Sequence, residues 1–317
     1  MRLWMLLATV ALPAFVAAAP LDTFEARVHL VEKTPHGESE GPLHYIVVGD
    51  KARLEWRRPQ PQPNGQRVPT QHVSVADGTR VQKLLRLEHP TGPSYMGMES
   101  REPGDRSLWP YEVLPLSLHF RGKTAPPRVA TLERARPTGG RASVNGTACV
   151  EYAHAGRADG YRTTFLVDPA AGSAIRQVRQ WQGERLVTQT TIDYRPWEGF
   201  GPVPARWTRR HWNANGTEIN TLTAELRELR RDPAVDAATF ALTFPEGTPV
   251  SGLERDTMHV AQADGTLVPK VEEPVAAPPW ITRQLVQDVA LGTVVLAVLV
   301  GLVWWVRHRL RASARVA

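Results

Sequence analysis

The sequence predicts a mainly β (α+β) protein of antiparallel strands followed by one C-terminal transmembrane helix. Three observations predict it. Apolar residues alternate with polar ones from residue 23 to about 245, turn-forming pairs fall between the alternating tracts, and one long uncharged run lies near the C-terminus.

The first residues have the parts of a secretory signal. Arg2 is the only charge before an apolar run from Leu3 to Val16, broken by Pro13, and Val16-Ala17-Ala18 supplies small residues for cleavage after Ala18. Residues 1–18 are expected to be a signal peptide and 19–250 an exported β domain. Near the other end, 18 consecutive uncharged residues run from Val289 to Val306, long enough to cross the hydrocarbon core as a helix. Val289 opens this run and Trp304 and Trp305 close it at interfacial positions. Arg307, Arg309, Arg311 and Arg315 follow, with no acidic residue, as a positive-inside signal. The expectation is a single span at the bacterial inner membrane, with residues 281–306 as the helix and its lead-in and 307–317 as a basic cytoplasmic tail. Residues 251–280 then form a hairpin and a Pro/Ala-rich tether.

The chain carries 38 basic and 32 acidic residues, a formal net charge of +6. Arg2 and the four tail arginines contribute five of those charges, leaving +1 for the exported remainder. The basic pI therefore reflects topology signals, and no nucleic-acid partner is expected. The single cysteine, Cys149, excludes an intramolecular disulfide; its alternating surroundings predict a small buried hydrophobe.

Four tracts show the period of half-buried strands: Phe24, Ala26, Val28 and Leu30; Tyr161, Thr163, Phe165 and Val167; Leu186, Thr188, Thr190, Ile192 and Tyr194; and Ile219, Thr221 and Thr223. Asp77-Gly78, Asp168 to Gly172, Gln182-Gly183, Asn215-Gly216 and Asp264-Gly265 supply turns, and the short links from Gly160 to Arg230 predict a meander. Gln60 to Pro69, with three prolines, is expected as a loop. Leu108 to Phe120, with Pro110 and Pro115, is expected as a broken helix or loop lying across one face of the sheet. Asp232 and Pro233 suit the cap and first position of a short helical turn ending near Ala238, after which Phe240, Leu242 and Phe244 re-enter the core.

No zinc-protease, phosphate-loop, nucleophile-elbow or Cys/His metal pattern is present. The chain is therefore expected to be no enzyme and to need no cofactor or metal. The aromatic and aliphatic side chains of Trp56, Trp109, Leu114, Phe120, Phe165, Trp181 and Trp207 are candidates for lining an apolar ligand cavity.

Several stretches, in order, resemble the outer-membrane lipoprotein-sorting family, the LolA/LolB-like fold related to RseB/MucB-type periplasmic regulators. They are Ala52 to Pro59 (ARLEWRRP), Val73 to Gly78 (VSVADG), Phe165 to Pro169 with Gly172 and Arg176, Tyr194 to Pro204, and Phe240 to Gly247. The resemblance covers about residues 23 to 250. It implies a curved, incomplete antiparallel β-barrel with a few short helices in or over its concave face, enclosing an apolar cavity. It also implies that lipoprotein acyl chains or another apolar ligand bind there. A chain anchored at 289–306 cannot shuttle freely, since a tether of some 30 residues reaches only roughly 30–60 Å. The function expected from the sequence is thus a tethered binder of lipoproteins or lipid. The alternative is an RseB/MucB-like signalling or scaffold protein whose exported domain binds an envelope protein partner.

Overall fold

The structure, a computed structural model, describes residues 23–62, 64–100, 110–121, 130–154, 160–252 and 258–270. The expected signal peptide, the anchor residues Val289, Trp304, Trp305, Arg307 and Arg309, and the cavity candidate Trp109 lie outside the described residues. Among those described, no helix is long and apolar enough to cross a membrane.

Two meanders build the sheet. The first comprises β1 (Thr23–Thr34), β2 (Gly37–Val48), β3 (Lys51–Pro61), β4 (Arg67–Ala76), β5 (Val81–His89) and β6 (Gly92–Ser100). The second comprises β7 (Arg136–Val144), β8 (Thr147–His154), β9 (Tyr161–Asp168), β10 (Ala174–Gln182), β11 (Arg185–Trp197), β12 (Gly201–Trp212) and β13 (Glu218–Arg231). Antiparallel pairing of β1 with β13 joins them. Three short strands, β14 (Pro249–Ser251), β15 (His259–Ala261) and β16 (Leu267–Pro269), extend the other side, with β14 parallel to β6. The order is β16-β15-β14-β6-β5-β4-β3-β2-β1-β13-β12-β11-β10-β9-β8-β7. The sheet is curved and does not close, so it is an open sheet and not a barrel.

The turn chemistry read from the sequence is realised. Asp168 accepts hydrogen bonds from the Ala170 and Ala171 amides at 3.0 and 3.2 Å and pairs with Arg176 at 2.9 Å, while Gly172 takes φ +62° to start the return strand. Asn145-Gly146, with φ +49° and +81°, makes the tight turn between β7 and β8.

Three readings are corrected. Gln60 to Pro69 is not all loop: Pro59 pairs with Pro69, Gln60 with Val68 and Pro61 with Arg67, so both ends of the segment belong to strands. Beyond Trp56 the β3 ladder to β2 ends, and the β4 ladder to β5 starts only at Thr70, so Pro59, Pro61 and Pro69 have a sheet neighbour on one side only and no second ladder requires their missing N–H. In β13 the buried face is Leu222, Ala224 and Leu226, not Thr221 and Thr223, because only the former set offers apolar surface to the core. The helical turn after β13 begins later than expected, at Ala237–Phe240, and is capped by Asp236, whose carboxylate accepts the Thr239 amide at 3.1 Å. Asp232 instead takes φ +46° and ends the strand. The hairpin expected within residues 251–280 is present as β15 and β16, and it joins the sheet because β14 docks on β6 and buries Val250 and Ala261 against Phe244.

Helix α1 (Leu114–Arg121) follows a helical turn at Tyr111–Val113 and lies in the connection between β6 and β7. It packs on one face of the sheet, here called the inner face, as the sequence reading of 108–120 anticipated. The main core lies there: Phe24, Tyr45, Leu54, Phe165, Ile192 and Trp207 from the strands meet Val113, Leu116 and Phe120. Three smaller clusters occupy the outer face, and these, not the main core, receive Phe240 and Phe244. Cys149 belongs to one of them, 2% exposed beside Val144 and Leu166, and burial together with the Asp168 charge raises its thiol pKa. Its reaction with a disulfide reagent at pH 8 is expected to be at least ~100-fold slower in the native protein than in denaturant. Equal rates in a thiol-release assay would contradict this placement.

Candidate functional site on the inner face

Alternation along each strand decides what the inner face presents. Ala52, Leu54, Trp56 and Arg58 of β3 point to it, as do Phe24, Ala26, Val28, Leu30 and Glu32 of β1. The apolar members gather at its centre under α1. The ring of Phe120 lies 4.9 Å from that of Phe24, which meets Tyr45 edge-on at 5.6 Å. Hydrogen bonds fix the helix: the Trp207 indole donates to the Glu112 carbonyl at 2.8 Å, Tyr45 and Ser117 hydroxyls lie 3.2 Å apart, and Arg121 donates to the Gly49 carbonyl at 3.2 Å. Tyr152, Tyr194, Trp197 and Phe200 form a half-buried aromatic margin around this centre.

One end of the same face is polar yet buried. Arg58, 7% exposed, reaches from β3 across β2 to Glu32 of β1, with 2.7 Å between Nη2 and Oε2. Gly41 of β2 makes the reach possible, since a Cβ there would stand 2.1 Å from the Arg57 carbonyl oxygen and 2.9 Å from the Arg58 Cβ. Asn220 of β13 donates to the other Glu32 oxygen. Trp56 is sandwiched: the Arg58 guanidinium sits 4.6 Å over its ring, and His72 of β4 stacks at 5.3 Å. From the other side, Arg209 of β12 lies 4.5 Å over Tyr111. Burial lowers the Arg209 pKa, against the opposing pull of Glu112, Tyr111 and Glu32.

Several buried donors at this end have no acceptor: Trp56 Nε1, Arg58 Nε and Nη1, and Arg209 Nε. A buried polar group without a partner costs about 1–3 kcal/mol, and more when charged.

Of the cavity candidates, the fold brings Trp56, Leu114, Phe120, Phe165 and Trp207 together in the one core, with Leu114 at its margin. Trp181 stands apart. It pairs with Arg162, one residue out of phase with Phe165, so it faces outward, donating to Thr164 Oγ1 at 3.2 Å beneath the Arg162 guanidinium. Sequence reasoning passed over Arg58, Glu32, His72 and Arg209. A signal for Arg58 was present, since it continues the alternation of Leu54 and Trp56. The others depend on distant strands. Among the described residues no three His, Cys, Asp or Glu side chains gather as a metal site would. A separate cleft of about 560 Å³ opens on the outer side between β5, β6 and the β15–β16 hairpin, lined by Arg80, Gln82, Glu99 and His259 among others.

The class of protein these features define is an open, curved antiparallel sheet wrapped over a short apolar helix. Solved structures similar to it include proteins of the family that the sequence resembles. A LolA superfamily protein from Nitrosomonas europaea is 13% identical, with a TM-score of 0.40, 71% of this chain covered and 93% of that one. An outer-membrane lipoprotein-sorting protein domain from Vibrio parahaemolyticus is 13% identical, with a TM-score of 0.38 and coverage of 69% and 88%. A DUF1329 family protein from Desulfovibrio piger is 11% identical, with a TM-score of 0.40 and coverage of 70% and 90%. No protein-family model and no curated protein matches the chain.

Two inner-face imidazoles are held neutral. Burial lowers His72 to about 4, helped by the Lys83 and Arg58 charges, and burial alone lowers His119, beside Phe120 and Tyr194, to about 4. Between pH 6.5 and 4 the unfolded chain therefore takes up protons that the folded one refuses, and stability falls as pH drops through that window. The urea midpoint is expected to decline from pH 7 to pH 4.5, and more shallowly in His72→Gln and His119→Gln. An unchanged slope in both variants would remove these histidines as its source.

Proposed function

We propose that this protein is a membrane-tethered binding protein of the lipoprotein-sorting type, holding an acyl chain or another apolar ligand against the inner face of its sheet without chemical turnover. The observation that carries the reading is that, among the described residues, α1 is the one α-helix, only eight residues long, and it lies over the apolar centre of this large open sheet. Helices this short are marginal in water and draw their stability from packing. Replacing α1 by an acyl chain would exchange one apolar contact for another, at roughly 0.8 kcal/mol per methylene on each side. The half-buried margin of Tyr152, Tyr194, Trp197 and Phe200 suits a path by which a chain slides between helix and sheet.

In the same proposal, residues 289–306 anchor the protein at the bacterial inner membrane with the sheet in the periplasm. That arrangement suits loading or handing over a ligand close to the membrane surface rather than carriage across the periplasm.

The test is native mass spectrometry of the full chain released from detergent micelles, before and after incubation with palmitate. Adducts of acyl mass are expected. Phe120→Ala is expected to lower stability by about 3–5 kcal/mol, as for other buried aromatic truncations, and to raise acyl occupancy by vacating space beneath α1. Absence of any lipid adduct, together with a protein partner in envelope crosslinks, would replace this reading with a scaffold role.

A further inference from the structure

The polar end of the inner face holds more donors than its own acceptors satisfy. We propose that it receives the anionic head of an amphipathic ligand, a carboxylate or phosphate group carried on an apolar chain, with Arg58 and Trp56 as its principal donors and Arg209 facing them across Glu32. The proposal rests on the apolar-ligand reading above and adds the chemistry of the ligand's head.

Arg58 and Trp56 are both more than nine-tenths buried, at 7% and 8% exposed. Each has a donor without an acceptor: Trp56 Nε1, and Nε and Nη1 of Arg58. Glu32 does not reach these donors: its Oε2 accepts Arg58 Nη2 and its Oε1 accepts Asn220, and the others are left without a partner. Arg209, itself half-buried, adds a further buried donor atom without a partner, its Nε. The indole and guanidinium groups can only donate, and the two other unmatched groups at this end, His72 Nδ1 and Ser39 Oγ, can donate as well as accept, so an acceptor is the partner that serves them all. Nearby formal charges are three cations, Arg58, Arg209 and Lys83, against two carboxylates, Glu32 and Glu112. An excess of cation favours an acceptor that is charged, and charge-assisted bonds to an oxyanion are stronger than those to an alcohol or ester.

Position agrees with this chemistry. Leu54, Trp56 and Arg58 follow one another on a single strand face, so the apolar centre passes into the donor cluster without a break. A ligand with its chain under α1 would present its head at Trp56. Conversely, Gly41 keeps the floor of the cluster low by allowing β3 to approach β2 closely.

The experiment compares three probes against the full chain in non-ionic detergent at pH 7.5: palmitate, hexadecan-1-ol and inorganic phosphate. Palmitate is expected to bind about tenfold or more tightly than hexadecan-1-ol. The double substitution Arg58→Gln with Glu32→Gln removes both partners of the ion pair and leaves no lone buried charge. It is expected to bring palmitate down to the affinity of hexadecan-1-ol and to leave the alcohol unchanged. Trp56→Phe, which keeps the ring but loses the N–H, is expected to weaken palmitate alone. If the double variant does not fold, Arg58→Lys and Trp56→Phe carry the same comparison.

Equal binding of palmitate and the alcohol to the native protein would overturn the proposal while leaving an apolar site intact. An equal loss of both probes in the variants would assign these residues to structure and overturn it too. Failure of both chain probes would remove the apolar-ligand reading itself. Phosphate bound at Arg58 with no preference for palmitate would replace the lipid head by a free oxyanion and overturn the proposed ligand.

Discussion

The rest of the structure depends on how the chain passes from the first meander to the second. Strands β6 and β7 stand on opposite sides of both meanders, because the two halves join through β1 and β13. The connection between them carries α1 over the inner face, where the indole N–H of Trp207 holds the Glu112 carbonyl at 2.8 Å. That bond lies between a fully buried side chain and the backbone just before the helix. It sets where Val113, Leu116 and Phe120 enter the core. A curved sheet has one face too apolar for water, and this short crossing segment is what covers it.

The same inner face contains two environments. At the centre, packing is aromatic and aliphatic, and the Tyr45 and Ser117 hydroxyls are matched with each other. Toward one end, long side chains from β3 and β12 converge on Glu32 in β1. Buried ion pairs of this kind lose much of their attraction to desolvation, so Arg58 and Glu32 are poor candidates for pure stabilisation. Unmatched donors beside them make a purely structural role weaker still. An apolar floor leading to a donor-rich end is the layout that an amphipathic molecule would complete.

Much of the local structure was legible in the residues. The alternation of Phe24 to Leu30, of Tyr161 to Val167 and of Thr188 to Tyr194 gives the inner face of those strands as the fold has it, while a bulge at Val187 sets Leu186 opposite the outward Trp181, and Asp168 behaves as the turn former its Pro169 suggested. Where the reading failed, two strand faces or two cap residues offered similar local chemistry. Thr221 and Thr223 alternate as regularly as Leu222 and Leu226, and period alone does not say which set meets a core. Asp232 and Asp236 are both able caps, and the choice fell to the one whose following residues bring Phe240 against Ile46, Val73 and Val75. Trp181 shares the aromatic character of Phe165, but pairing with Arg162 turns it to the other side.

The sequence by itself determined the class of structure, antiparallel strands with tight turns, and it marked a broken helical segment destined for a sheet face. Those are properties of neighbours along the chain: side-chain period, turn residues, and the positions of proline. Tertiary structure alone decided that the sheet stays open, that β14 adds to it in parallel, and that Arg58, Glu32, Asn220 and Arg209 meet. These depend on which strands lie side by side, and residues brought together from four strands carry no mark of one another in the linear order.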